Sequence, residues 1–199
     1  MRSFATIPAC GESRRMGQPK LLLPLNGKTV IEHVVAAWLA SRVTHLVAVV
    51  RADDVELARL CVQSGSEVVR PETPPVQMKD SVAQALLYIE TRYSPQDDDA
   101  WLLAPADMPG LSQRVIDRLL GEHERGSRPK AILVPTSNGR RGHPVLFPWP
   151  LAGKVRGLAE DEGVNILLER HPVREIACDE SALPADLDTP DDYRRLCDP

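Results

Sequence analysis

Hydrophobic positions fall along this chain in two alternating rhythms. Continuous apolar runs of strand length stand at residues 4–7, 45–51, 101–104, 131–135, 143–147 and 173–178, with a shorter one at 67–70. Between them, apolar residues recur at helical spacing: Val30, Val34, Val35, Trp38 and Leu39 form one stripe, and the segments 55–65 and 78–93 read as helices as well. A further helix is expected after Ser112, another around 164–170, and a last one after Thr189, with Thr189 at the N-cap and Pro190 in the first helical position. Asp53 and Asp54 suit the start of the helix at 55, Asn26-Gly27 suits a turn, and the three prolines of PETPPVQ interrupt the pattern before residue 78. Strands that are apolar throughout, alternating with helices, predict an α/β fold: a three-layer α/β/α sandwich around a mainly parallel, Rossmann-like sheet buried on both faces. No repeat or linker divides the chain, so one domain over residues 1–199 is expected. In such sheets ligands sit beyond the carboxyl ends of the strands.

Composition narrows the partners. The chain has 199 residues, 43% of them apolar and 26% charged, with a net charge of -4 and a pI near 5.8. An acidic balance argues against a nucleic-acid binder, which needs a basic surface for phosphate contacts. No run approaches the roughly 20 apolar residues of a membrane helix, and no signal-peptide pattern is seen, so no membrane partner and a cytoplasmic location are expected. The four cysteines show no CxxC spacing, which disfavours zinc or a disulfide framework. Cys61 and Cys178 read as buried small apolar side chains, and Cys10 stands apart in a loop. His33, His45, His123 and His171 have no ligand spacing.

That loop, PACGESRRMGQPK from Pro8 to Lys20, carries the chemistry. It follows an apolar strand, and its glycines Gly11 and Gly17 enclose Ser13, Arg14 and Arg15 ahead of Lys20. Glycine permits tight turns and close backbone approach, freed amides can face phosphate oxygens, and the cations offset their charge. The spacing is neither that of a Walker loop nor GxGxxG. A carboxylate, Asp107, stops the strand at 101–104, and its place after a strand puts it on the same sheet edge as the loop. Asp97, Asp98 and Asp99 read as a solvated run before that strand.

Taken together, the loop, PADMP around Asp107 and the closing DLDTPDDY resemble the MobA-like nucleotidyltransferase family, especially its molybdenum-cofactor cytidylyltransferase branch, over essentially the whole length. The family loop has the form LAAGxSxRMGxxKxLLP, which PACGESRRMGQPKLLLP matches apart from Pro8 and Cys10. The resemblance implies the fold of the nucleotide-diphospho-sugar transferases, with a nucleotide-binding half at about 1–110 and an acceptor-binding half at about 111–199. It assigns Arg15 and Lys20 to the triphosphate and places Ala9, Cys10, Gly11, Ser13 and Gly17 around the nucleotide. Asp107 corresponds to the aspartate of the family's GDMP, with Ala106 in place of glycine, and Asp188 to the second carboxylate of DIDTPEDY. Both are implied ligands of Mg²⁺, an ion that takes oxygen donors and bridges phosphates. Acidic residues near a helix N-terminus, here Asp186, Asp188, Asp191 and Asp192, also stabilise the helix dipole without binding anything.

Met78 and Ser81 keep the family's Met-x-x-Ser spacing near the base and ribose, although Ser81 would serve equally as a helix cap. RRGHPVLF resembles the family's strand facing the acceptor, so His143 and Pro144 are implied acceptor contacts; a histidine opening an apolar strand also suits a structural hydrogen bond. Arg140 and Arg141 are exposed cations near the same place, and DEGVN with Gly163 stands where relatives carry a glycine turn. The implied reaction joins a nucleoside monophosphate, from CTP or GTP, to a phosphorylated pterin-type acceptor and releases pyrophosphate. Ala9-Cys10 resembles the Ala-Ala of cytidylyl transfer more than the Gly-Gly of guanylyl transfer, which favours CTP. A molybdoenzyme is the implied partner. A sugar- or polyol-phosphate nucleotidyltransferase of the same fold, and a molybdenum-cofactor chaperone without catalysis, are the alternatives.

Overall fold

The computed structural model describes residues 1–126, 130–178 and 187–197. The chain opens with β1 (Ser3–Ala9), the hairpin strands β2 (Pro24–Leu25) and β3 (Lys28–Thr29), and α1 (Val30–Ala40). There follow β4 (His45–Val50), α2 (Val55–Gln63), β5 (Glu67–Val69), α3 (Met78–Tyr93), β6 (Ala100–Leu103) and α4 (Gln113–Arg125). The remainder forms β7 (Ile132–Ser137), β8 (Arg140–Arg141), β9 (Val145–Pro148), α5 (Ala152–Val155), α6 (Leu167–Arg170), β10 (Val173–Ala177) and α7 (Pro190–Cys197).

Side chains alternate across β1 into two apolar layers, as the period of a strand requires. Ala5, Ile7 and Ala9 pack with α1, α2 and α4 on one face, while Phe4 enters the other face with α3, α5 and α6. Thr6 is fully buried between them, and its hydroxyl donates to the Leu102 carbonyl at 3.0 Å, as a buried hydroxyl must find a partner. The α/β/α sandwich is thus explained by strands that are apolar on both faces.

The sheet runs in the order β10-β7-β9-β6-β1-β4-β5, with β8 attached to β7. Pairings of β1 with β4 and β6, of β4 with β5 and of β7 with β10 are parallel. β9 is antiparallel to both β6 and β7. From β1 the chain proceeds to β4 and β5 on one side and then crosses to β6 on the other. Connections leaving β1 and β6 therefore diverge and open a crevice at the carboxyl ends of these two strands.

Four local readings change. The strand expected over 143–147 starts at Val145, because Pro144 has no N–H for the ladder; the His143–Pro144 peptide is cis. Asp99 is not solvated: it is buried and receives the Arg2 amide at 2.5 Å, two contacts from the Arg2 guanidinium at 2.9 and 3.2 Å, and the Gln96 amide at 2.9 Å. Burial alone would raise the pKa of this carboxyl, but those donors outweigh it and hold the value below the usual range. Cys178 is only partly buried, since it follows edge strand β10, whereas Cys61 is buried as expected. Ser81 is not a cap, because α3 begins at Met78 with Gln77 at its N-cap. Thr189 and Pro190 do start α7, and the Asp192 carboxylate accepts from the Thr189 amide and hydroxyl, both at 2.7 Å. Asp186 lies outside the described residues.

Candidate active site

The loop leaving β1 is shaped by its own small residues. Met16 is buried in the core and fixes the loop's middle, while its amide donates to the Ser13 carbonyl at 3.0 Å. Ser13 adopts φ 53° and Gly17 φ 67°, the left-handed region that reverses the chain on each side of Met16. The Ser13 hydroxyl accepts from the Lys20 amide at 3.1 Å and so closes the loop. Ser13 and Gly17 therefore set the loop's path and do not line the cleft. Gly11 differs: its φ is not positive, and a Cβ built on it would meet nothing within 4 Å. The fold has no need of glycine there, and the missing side chain leaves this stretch of backbone open to close approach from the cleft.

Asp107 is set by the loop leaving β6. Ala106, Met108 and Leu111 are buried on both sides of it, and the Leu111 amide donates to the Met108 carbonyl at 3.0 Å. Leu187 is fully buried and its amide donates to the Asp107 carbonyl at 2.9 Å, which brings Asp188 beside Asp107. Residues 20, 107 and 188 thus meet at the crevice between β1 and β6. The Lys20 ammonium lies between the two carboxylates, hydrogen-bonded to Asp107 Oδ2 and at 3.1 Å from Asp188 Oδ1. Arg15 reaches Asp188 Oδ2 at 3.0 Å. Burial of the ammonium pulls the Lys20 pKa down, but Asp107 and then Asp188 outweigh that cost, and the value is raised.

The other oxygen of Asp107, Oδ1, is buried and has no hydrogen-bond partner among the described residues. An orphaned carboxylate oxygen beside a second carboxylate fits a hard divalent cation. No group of three or more metal-ligating side chains occurs among the described residues. The pair therefore suits an ion that takes one or two carboxylates and completes its shell with water and phosphate oxygens.

A cleft of about 380 Å³ brings Ala9, Cys10, Gly11, Arg15, Lys20, Met78, Ser81, Asp107 and Asp188 together. Cys10 is half-buried and its thiol donates to the Val49 carbonyl at 3.4 Å; burial pushes its pKa up, partly offset by Ser81. A second cavity of about 540 Å³ adjoins the cleft and shares Gln77, Met78 and Pro105 with it. His143 and Arg141 line this cavity with Asn165 and Lys79, over an apolar floor that includes Leu103, Val134, Phe147 and Val164. Pro144 is buried behind the wall and is not part of the lining, and Arg140 is exposed outside it.

Three residues of this region are given no role by sequence reasoning: Gln77, Lys79 and Asn165. Lys79 is buried and donates to the Glu160 carbonyl at 2.7 Å and to that of Ala159, and Gln77 donates to the Glu160 carbonyl at 2.9 Å. These bonds tie the start of α3 to the segment that leads to the second cavity. The visible signals are that Gln77 precedes and Lys79 lies within the Met-x-x-Ser spacing, and that Asn165 ends DEGVN.

A doubly bounded α/β sheet with a basic glycine loop and two carboxylates at its switch point defines a nucleotide-handling transferase. The chain belongs to the MobA-like NTP transferase domain family, whose model matches residues 5–176. It is 28% identical over 195 residues to nicotine blue oxidoreductase of Paenarthrobacter nicotinovorans, covering 94% of this chain and 93% of that protein. It is 34% identical over 122 residues to 2-C-methyl-D-erythritol 4-phosphate cytidylyltransferase of Pseudomonas fluorescens; this match covers 60% of the chain but only 51% of that enzyme. The crystal structure of Rv0371c from Mycobacterium tuberculosis superposes with a TM-score of 0.84 at 27% identity, covering 100% of both chains. A manganese complex of Rv0371c superposes with a TM-score of 0.78. Among the described residues no helix is long and apolar enough to cross a membrane.

Proposed function

We propose that this nucleotidyltransferase joins a nucleoside monophosphate, taken from CTP in preference to GTP, to the phosphate of a pterin-type acceptor and releases pyrophosphate. The observation that carries the reading is the junction of two unlike cavities at Gln77, Met78 and Pro105: one charged and loop-lined, the other floored by Leu103, Val134, Phe147 and Val164. A sugar or polyol phosphate would leave its hydroxyls facing that apolar floor, whereas a flat fused heterocycle would cover it and direct its polar edge to Asn165, Arg141 and His143. The nucleotide half, about 1–110, and the acceptor half, about 111–199, would then meet at the junction. The preference for CTP rests on Ala9 and Cys10 at the end of β1, and an acceptor made into a molybdenum cofactor would pass to a molybdoenzyme.

Asp107 and Asp188 would hold Mg²⁺, which when bound supplies charge neutralisation to phosphate oxygens. The acceptor phosphate is already an anion, so no side chain need remove a proton. One of its oxygens forms the bond to the α-phosphorus, and the bond from that phosphorus to the bridging oxygen breaks, the electron pair leaving with pyrophosphate. Arg15 and Lys20 offset the charge that gathers on the leaving group, and the amides of the loop orient the triphosphate for in-line displacement.

The test is acceptor-dependent pyrophosphate release with each of CTP, GTP, ATP and UTP, offered molybdopterin, a polyol phosphate or a sugar phosphate. Turnover with CTP and molybdopterin is expected. Turnover confined to the polyol or sugar phosphates would replace the acceptor assignment, and a folded protein inert with every pair while it binds molybdopterin would identify a carrier.

A further inference from the structure

The position of Lys20 has a consequence beyond phosphate binding. The ammonium sits between the carboxylates of Asp107 and Asp188, which come from different loops, and Arg15 takes the remaining face of Asp188. The four charges balance within the cluster. Lys20 is largely buried there, its side chain 15% exposed, as is that of Asp107. A divalent cation approaching this pair alone meets a positive charge already held by Asp107 Oδ2 and Asp188 Oδ1, with only Asp107 Oδ1 left without a partner among the described residues, under reduced dielectric screening. A metal bound to a triphosphate meets a different balance, because the phosphate oxygens offer Lys20 and Arg15 new partners as the metal takes over the carboxylates.

We propose that Lys20 is an internal counter-ion that closes the carboxylate pair to free divalent metal and yields it only when a triphosphate draws the ammonium away. Metal and nucleotide therefore enter together, and the free chain holds metal weakly. The inference rests on the assignment of the cleft to a nucleoside triphosphate but is independent of the acceptor. It gives Lys20 two alternating partners, carboxylates in the free chain and phosphates in the loaded one.

Mn²⁺ binding to the full chain without nucleotide, followed by the electron paramagnetic resonance signal of the free ion, tests the proposal. Lys20→Met is expected to bind Mn²⁺ at least about tenfold more tightly than the natural chain, since one unit charge at contact distance is removed. Lys20→Met with Asp107→Asn should lose that gain. Arg15→Gln, which leaves the ammonium in place, should change the affinity by less than about threefold. Unchanged or weaker Mn²⁺ binding by a folded Lys20→Met variant would overturn the proposal. The natural chain supplies a measurement that needs no variant: acetylation of Lys20 by a water-soluble ester, followed by peptide mass spectrometry, should be slow in the free protein and stay slow when Mn²⁺ is added without nucleotide. Faster acetylation with Mn²⁺ alone would equally refute it. Failure of CTP to bind at all would instead remove the nucleotide assignment, whatever Mn²⁺ does.

Discussion

Replacing Gly11 by alanine separates what the fold needs from what the ligand needs. In the free chain the added methyl projects into open space, with no atom within 4 Å, and the backbone lies outside the left-handed region. No clash or strain enters, and the restricted unfolded chain should make the variant more stable by about 0.4–1 kcal/mol. The same methyl stands where the loop backbone would meet a phosphate. Losing one hydrogen bond to a charged oxygen costs about 1.5–3 kcal/mol, or about 10- to 150-fold in Kd. Gly17→Ala is the contrasting case. Its methyl also meets nothing, but φ is +67°, and an L-residue there costs about 1–2 kcal/mol. Urea unfolding and calorimetric titration with CTP and Mg²⁺ read the two effects separately. Gly11→Ala should melt no earlier than the natural chain yet bind CTP weakly, whereas Gly17→Ala should lose stability first. A Gly11→Ala variant that binds CTP normally would show that no phosphate approaches this backbone.

The other predictions follow from single contacts. Asp107→Asn should remain folded, judged by circular dichroism, yet lower kcat by about 10²- to 10³-fold, since it removes one of the two carboxylates proposed to hold the metal that offsets phosphate charge. Arg2→Met should cost about 2–3 kcal/mol in urea unfolding, less than a fully buried pair because the amides of residues 2 and 96 still serve Asp99. His123 is buried, and its burial, reinforced by the charge of Lys130, depresses its pKa to about 4. The unfolded chain takes up the proton first, so this contribution is complete above about pH 6.5 and declines as pH falls toward 4, by about 3 kcal/mol in all. His123→Leu should flatten the stability profile over that interval, with His45, displaced downward chiefly by burial, leaving a smaller slope of the same sign. A profile as steep as that of the natural chain would refute the assignment to His123.

Most of the strands and helices are legible because each depends on a local pattern. The apolar runs at 4–7 and 45–51 become β1 and β4, and the stripe through Val30, Val34, Val35 and Trp38 becomes the buried face of α1. Asp99 departs from its local pattern for a complementary reason. Its neighbours Asp97 and Asp98 make it look like part of a solvated run, and its partner Arg2 is distant in sequence. The antiparallel course of β9 is hidden in the same way, since an apolar run of strand length carries no direction. Gln77 and Lys79 gain their roles only when the segment at 159–160 folds back onto the start of α3, a contact no spacing rule encodes.

The convergence of Lys20, Asp107 and Asp188 shows how far a distributed site can be inferred from order alone. That the loop at 8–20 and Asp107 share one sheet edge follows from each succeeding a strand. That they touch follows from β1 and β6 being neighbours, which the sequence leaves open until the crossover is seen. Asp188 arrives by neither route: it depends on Leu187 entering the core and on one backbone hydrogen bond to the Asp107 carbonyl. A polar substitution at Leu187 should therefore release Asp188 from the site while leaving β1, β6 and the loop at 8–20 in place. The geometry of the proposed metal pair is thus held by an apolar side chain of the core.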